Sequence, residues 1–338
     1  MAAVKPASSV PTATLAAALL ASAALLGVLG LAAGSEGWSF AWLREPGEWD
    51  LVSAIRAPRT LGALLTGALL GLAGAIAQGL FRNPLADPYL LGSAAGAGLG
   101  VTLVLAASGY FGTVVGLATA GLLLRMGLVS AAFAGALCGV ALTLLLARGT
   151  GRPMVLLLAG VVVGILLSSI AELVILVSPD ALRGKQIFLL GTTGFLGWTS
   201  VAVLLAALAI ALPVAWRFAR ALDALVLGEA SASSLGIELP RVRLLLVVLM
   251  ALATGTAVAQ AGLVAFVGLV APHVVRRMVV VTHGPLLVLS ALAGAVLLLA
   301  ADVAARSVIA PQELPVGVLT AILGGIYLLV LLQRRGRW

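Results

Sequence analysis

Apolar stretches of about 20 residues, long enough to cross a hydrocarbon layer, follow one another along almost the whole chain. They lie near residues 12–33, 58–80, 89–107, 127–147, 154–178, 199–219, 243–262, 286–304 and 314–332, with a shorter run at 263–272. Counting the short run as a helix gives ten predicted spans. A further apolar piece, 110–124, is read as packed, re-entrant or interfacial. The first run ends in small residues, as a cleaved leader does, but it has the length of a retained span; a signal core has roughly 7–15 apolar residues. The pattern predicts an all-α polytopic membrane protein, a single transmembrane domain over 1–338.

One polar island interrupts the pattern deep in the chain, LVLGEASASSLGIELPRVR at 225–243. Its Glu229, Glu238, Arg241 and Arg243 cannot rest in hydrocarbon, so the segment is predicted as a short helix bracketed by turns at one membrane face. With the N-terminus inside, thirteen of the twenty cations fall in inner loops, including the cluster near Arg334, while seven acidic residues fall in outer ones. Cations mark the cytoplasmic side. Both termini and the island, a loop at 222–240, are therefore predicted to be cytoplasmic.

Composition supports this class: 338 residues, 62% apolar and only 9% charged, against roughly 25% charged in soluble domains. The forty glycines suit close helix packing in lipid. The formal charge of +8 is spread over segment ends, which is a topology signal and not a nucleic-acid groove. The single Cys138 rules out a disulfide framework and a cysteine metal site.

Chemistry-bearing motifs are sparse. The sequence contains no Gly-x-x-x-x-Gly-Lys-Ser/Thr loop for a nucleotide, and its two histidines, His273 and His283, make no cluster with carboxylates for a catalytic metal. A hydrolytic or redox enzyme is not indicated. Glu172, beside Ser168 and Ser169, is the one clear ionisable group within a predicted span: a proton relay for an ion-coupled secondary transporter, or a hydrogen-bonded helix contact. Gln78 and Gln260 are neutral, so they can line a path or lock helices. They recur in AIAQ (75–78) and AVAQ (257–260), an echo consistent with two inverted-repeat halves. With so little charge inside, the driving energy must come from outside the chain, and the polar island becomes a docking element for a soluble motor. At the other face, Arg56 and Arg59 flank Pro58, and Arg306 ends a later span. These cations either anchor the interface or capture carboxylates of an external partner.

Several ordered motifs then carry a resemblance: RAPRTLGALLTGALLGLAGAIAQGLFRNPLADPYLLG (56–92), LLLAGV (156–161), LGEASASSLGI (227–237), AGLVAFVGLVAPHVVR (261–276), ADVAAR (301–306) and ELPVGVLTAILGG (313–325). The chain resembles the permease subunits of type II ATP-binding-cassette importers for iron-siderophores, heme and cobalamin, from Arg56 to about Arg334. The resemblance implies ten transmembrane helices and a homodimer with the pathway on its two-fold axis in a bacterial inner membrane. It also implies two cytoplasmic ATPase subunits, which would hold the ATP and Mg that this chain does not bind, and a periplasmic binding protein. By the same resemblance Leu227, Gly228, Glu229, Ala230, Ser231, Ser234, Leu235 and Gly236 belong to the coupling helix, and Arg56, Arg59 and Arg306 meet the binding protein. The fifth and tenth helices, 154–178 and 314–332, would be gates. The overall look is most similar to heme permeases, with ferric-siderophore and cobalamin permeases sharing most of it.

Overall fold

Small residues decide how the helices meet. The computed structural model describes residues 10–34, 37–40, 46–111, 117–147 and 153–335. Helix α1 (Thr12–Ala32) leads into a minimal antiparallel hairpin, β1 (Ala33–Gly34) with β2 (Gly37–Trp38). Helix α2 (Pro46–Leu51) passes through a π-helical turn at Val52–Arg56 into α3 (Ala57–Phe81). After a 3-10 turn (Pro88–Leu91) come α4 (Ser93–Phe111), α5 (Leu117–Leu146), α6 (Pro153–Val177), α7 (Ala181–Leu190) and α8 (Trp198–Arg217). The chain continues through α9 (Ala219–Val226), α10 (Glu229–Ser234), α11 (Leu239–Ala261), α12 (Val267–Met278), α13 (His283–Ser307) and α14 (Val316–Arg335).

Helix α3 is the axis: every residue from Leu65 to Phe81 is buried, against α13 first and then α11, α12 and α8. Its Gly67, Gly71 and Gly74 allow this, because a Cβ there would overlap carbonyl oxygens of Gly294 and Ser290 on α13 and of Gly268 on α12. Backbone meets backbone, the close approach that glycine permits in lipid-embedded helices. Helix α4 packs on α5, and α6 and α7 lean on α4. Helix α6 presents Leu158, Val162, Ile165 and Leu173 to the outside, each at least 59% exposed in the single chain.

Among the described residues, seven helical stretches are long and apolar enough to cross a membrane, and two shorter apolar helices lie at 93–108 and 316–331. The expected runs at 12–33, 58–80, 154–178, 199–219 and 286–304 return as α1, α3, α6, α8 and α13. Three features differ. The part of 110–124 from Leu117 onward forms the first turns of α5, so it is not a separate re-entrant piece; residues 112–116 lie outside the described ones. The short helix expected at 263–272 begins at Val267, because Gly262 (φ 71°) ends α11 and Phe266 (φ 68°) holds a left-handed turn. Helices α2, α7 and α9, of 6, 10 and 8 residues, fall below membrane length and escape the hydropathy pattern.

Two groups of long-range polar contacts stand at the ends of the bundle. One end gathers α9, α10, Arg82 after α3 and the start of α13; the other gathers Arg59, Thr193, Asp302, Arg306 and Glu313.

Candidate functional site

The polar island folds as expected in kind and in more detail than its sequence announces. Helix α9 turns its Ala221, Leu222, Ala224 and Leu225 inward. Gly228, at φ 106°, then breaks the direction, and Gly236, at φ 77°, ends the short α10 on its far side. Residues with a Cβ rarely adopt either conformation. Within the turn, the amide of Ala232 donates to the Gly228 carbonyl at 3.0 Å and that of Ile237 to the Ala232 carbonyl at 3.3 Å. The Ser231 and Ser234 hydroxyls donate to the carbonyls of Leu227 and Ser231. Ala232 is wholly buried in the main core, whereas Ala230, Ser231, Ser234, Leu235 and Gly236 face outward. Leu227 and Leu235 are 71% and 65% exposed, an apolar pair on either side of a polar helix.

Charge fixes this element to the helices behind it. Glu229, the first residue of α10, pairs with Arg243 on α11 at 2.6 Å and stands 3.8 Å from Arg82, the residue after α3. Arg243 is itself 5% exposed, so the pair is a fixed strut. Nearby, Asp223 of α9 accepts from both the backbone amide and Nδ1 of His283 at 2.9 and 2.7 Å, which ties α9 to the first turn of α13. A carboxylate at a helix N-terminus is favoured by the unsatisfied amides there.

At the opposite end the three expected docking arginines are drawn inward. Asp302, fully buried, accepts from Arg306 at 2.5 Å, from Arg59 at 3.2 Å and from the Thr193 hydroxyl at 2.5 Å. Arg306 also donates to the carbonyls of Gly30 and Ala33, and Arg56 donates to that of Leu31. The Gly30 and Leu31 carbonyls lie in the last turn of α1, where carbonyls lack helical partners and attract cations, and Ala33 follows that turn. Arg306, with a side chain 3% exposed, is therefore an interior residue and not the open cation expected at a span end. Arg59 reaches the surface through Glu313, which it holds at 2.8 Å. That hydrogen bond keeps the Glu313 carboxyl below the ordinary carboxylate range.

The interior candidates separate. Gln78 is buried, donates to the Leu269 carbonyl at 3.0 Å and accepts from Arg276, locking α3 to α12. Gln260 borders a cavity of about 410 Å³ among α5, α8 and α11. Glu172 is not the lone acid the sequence suggested: it pairs with Lys185 of α7 at 2.6 Å. The sequence reading missed Lys185, Thr193 and the Asp302 cluster. The spacing of Asp302 and Arg306, four apart on one helix face, was the available signal for that cluster; Lys185, one of two lysines, offered only its rarity.

The bundle, with seven membrane-length helices among the described residues, is that of a polytopic membrane protein. Residues 13–334 match the FecCD transport family, and the chain belongs to it as an ABC importer permease. It is 39% identical over 292 residues to the hemin transport system permease protein HmuU of Yersinia pestis, covering 85% of this chain and 84% of that one. Identity is 38% to the Fe(3+) dicitrate transport system permease protein FecD of Escherichia coli, covering 87% and 88%. It is 40% to the vitamin B12 import system permease protein BtuC of Salmonella schwarzengrund, covering 88% and 87%. Among solved structures, an inward-facing metal-chelate type ABC transporter superposes with a TM-score of 0.82 at 28% identity, over 95% of this chain and 99% of that one.

Proposed function

We propose that this chain forms, as a homodimer, the inner-membrane pathway through which a partner ATPase drives heme into the cytoplasm. The observation that carries the reading is α10: a short helix set off by Gly228 and Gly236, exposed on one side and strutted to α11 by Glu229 and Arg243. Such an element takes a push from a partner and passes it to the bundle. Ten spans follow if α4, α12 and α14 are added to the seven long ones. The α10 end is then cytoplasmic and meets two ATPase subunits, and the halves containing α3 and α11 are inverted repeats. The Arg59 end faces a periplasmic binding protein. There Arg56 and Arg59 receive carboxylates of that partner, and Arg306 supports Arg59 from beneath through Asp302.

Heme is the favoured cargo because the whole-chain motifs look most like heme permeases. Ferric siderophore and cobalamin compete with it, since relatives of nearly equal identity are named for hemin, Fe(3+) dicitrate and vitamin B12. The test is to purify the chain with its co-expressed ATPase and binding protein, reconstitute them in vesicles, and compare uptake of hemin, a ferric siderophore and cobalamin. The chain alone is expected to hydrolyse no ATP and the complex to do so during hemin uptake. Transport by the chain without an ATPase would sink the importer reading.

A further inference from the structure

Between α4, α6, α7 and the 3-10 turn lies a cavity of about 660 Å³. Its wall is mostly apolar, with Ser168, Ser169 and Glu172 contributed by α6 and Lys185 by α7. Two glycines in the wall, Gly98 and Gly164, have no atom within 4 Å of the place a Cβ would occupy. On the same helices Gly96, Gly100 and Gly160 behave oppositely, since a Cβ on any of them would strike a neighbour's carbonyl oxygen. Packing accounts for those three. At Gly98 and Gly164 the absent side chain leaves the cavity open.

The ion pair in this wall is lopsided. Lys185 lies on the inward face of α7 with Ala181, four residues earlier, and its side chain is 9% exposed. Glu172, 2.6 Å away, is 67% exposed. An ammonium held away from water needs a counter-ion, because leaving it unpaired costs several kcal/mol. The carboxylate has no such constraint and can turn away from Lys185, provided another anion takes its place. A second carboxylate arriving as Glu172 leaves keeps Lys185 paired, and Ser168 and Ser169 line the same cavity.

We propose that this cavity is a cargo subsite for metal chelates carrying a free carboxylate, which Lys185 accepts in exchange for Glu172. The inference rests on the importer reading and narrows its cargo. Because the displaced Glu172 competes for the same amine, the subsite holds its ligand reversibly, as a passage must. Hemin, with two propionates, and ferric citrate both qualify. Cobalamin, whose corrin periphery carries amides, would draw nothing from Lys185.

The experiment uses the full chain in lipid nanodiscs, with hemin and hemin dimethyl ester as probes; the two share one macrocycle and differ in free carboxylates. Binding is read by heme absorbance against empty nanodiscs. Wild type is expected to bind hemin about tenfold more tightly than the ester, since a charge-assisted pair is formed with one probe only. Lys185→Met should erase that difference and Lys185→Arg should keep it. Glu172→Gln should strengthen hemin binding severalfold and leave the ester unchanged, and this arm stands even if Lys185→Met folds poorly. Equal affinity of wild type for both probes overturns the proposal. So does a Glu172→Gln variant that loses hemin, because the pair would then only splice α6 to α7. ATPase activity of the assembled complex is measured separately, so failure of the importer reading is seen there and failure of the subsite in the probe comparison.

Discussion

Asp302 shows what one buried carboxylate does when three elements converge on it. It is fully buried and holds Arg59, Arg306 and Thr193 at once. Removing it leaves Arg306 buried beside carbonyls alone, and breaking a buried pair by deleting one partner costs about 3–5 kcal/mol. Asp302→Ala should therefore lower the thermal unfolding temperature of the purified protein sharply, whereas Arg56→Ala, which breaks one hydrogen bond to Leu31, should lower it little. Equal effects would reduce the cluster to ordinary surface charge. Glu313 gives the pH signature of the same end. Its carboxyl is depressed in the folded protein by the hydrogen bond from Arg59, so its contribution is whole above the unfolded carboxylate value of about 4.3. That contribution drains as pH falls through the lower native value. The pair is half in water, so its worth is about 1 kcal/mol or less. Glu313→Gln should be slightly less stable than wild type at neutral pH, and the two unfolding curves should converge in acid; parallel curves would exclude the pair as a source of stability.

Among the elements, α10 depends on its flanks. Gly236 sits at φ 77°, and proline is locked near −65°, so Gly236→Pro must redirect the exit of α10 while leaving the spans intact. In the reconstituted complex this variant should keep ATP hydrolysis and lose most cargo uptake; a preserved ratio of cargo to ATP would show that α10 transmits nothing. The element was legible in the chain because charge inside an apolar sequence has few places to go. Its strut was not: Glu229 and Arg243 lie fourteen residues apart, and no periodicity brings them together. Long helices were legible for a similar reason, since α3 and α13 announce themselves by length and apolarity. Helix α7 did not, being ten residues long and exposed except at Ala181, Lys185 and one partly buried side. The burial of Arg306 is not legible in the sequence, because the carbonyls it meets at the end of α1 and just beyond it lie 276 and 273 residues away.

Across the whole molecule, burial is uneven. The central window of the stretch containing α3 is 89% buried and those of α11 and α13 are 72% buried, against 22% for α6. Helix α14 likewise shows Ile322, Leu323, Ile326 and Leu329 to the outside. Apolar faces of this extent on two helices either meet lipid or meet a second copy, and the proposed pathway needs the copy. Native mass spectrometry of the detergent-extracted protein should give a species of twice 33.9 kDa, and a monomer under gentle extraction would contradict the homodimer.

The contact of bare backbones along Gly67, Gly71 and Gly74 has a consequence for how such a protein diversifies. At each of the three glycines the nearest obstacle is a backbone carbonyl, which a compensating substitution cannot shorten: Gly74→Ala forces a methyl into the Gly268 carbonyl. The face of α6 carrying Leu158, Val162, Ile165 and Leu173 touches little of its own chain. A saturation scan of the gene should sort into two populations, a near-immutable stripe along α3 and a permissive face on α6. New cargo can then be tried on that face without disturbing the seam of α3.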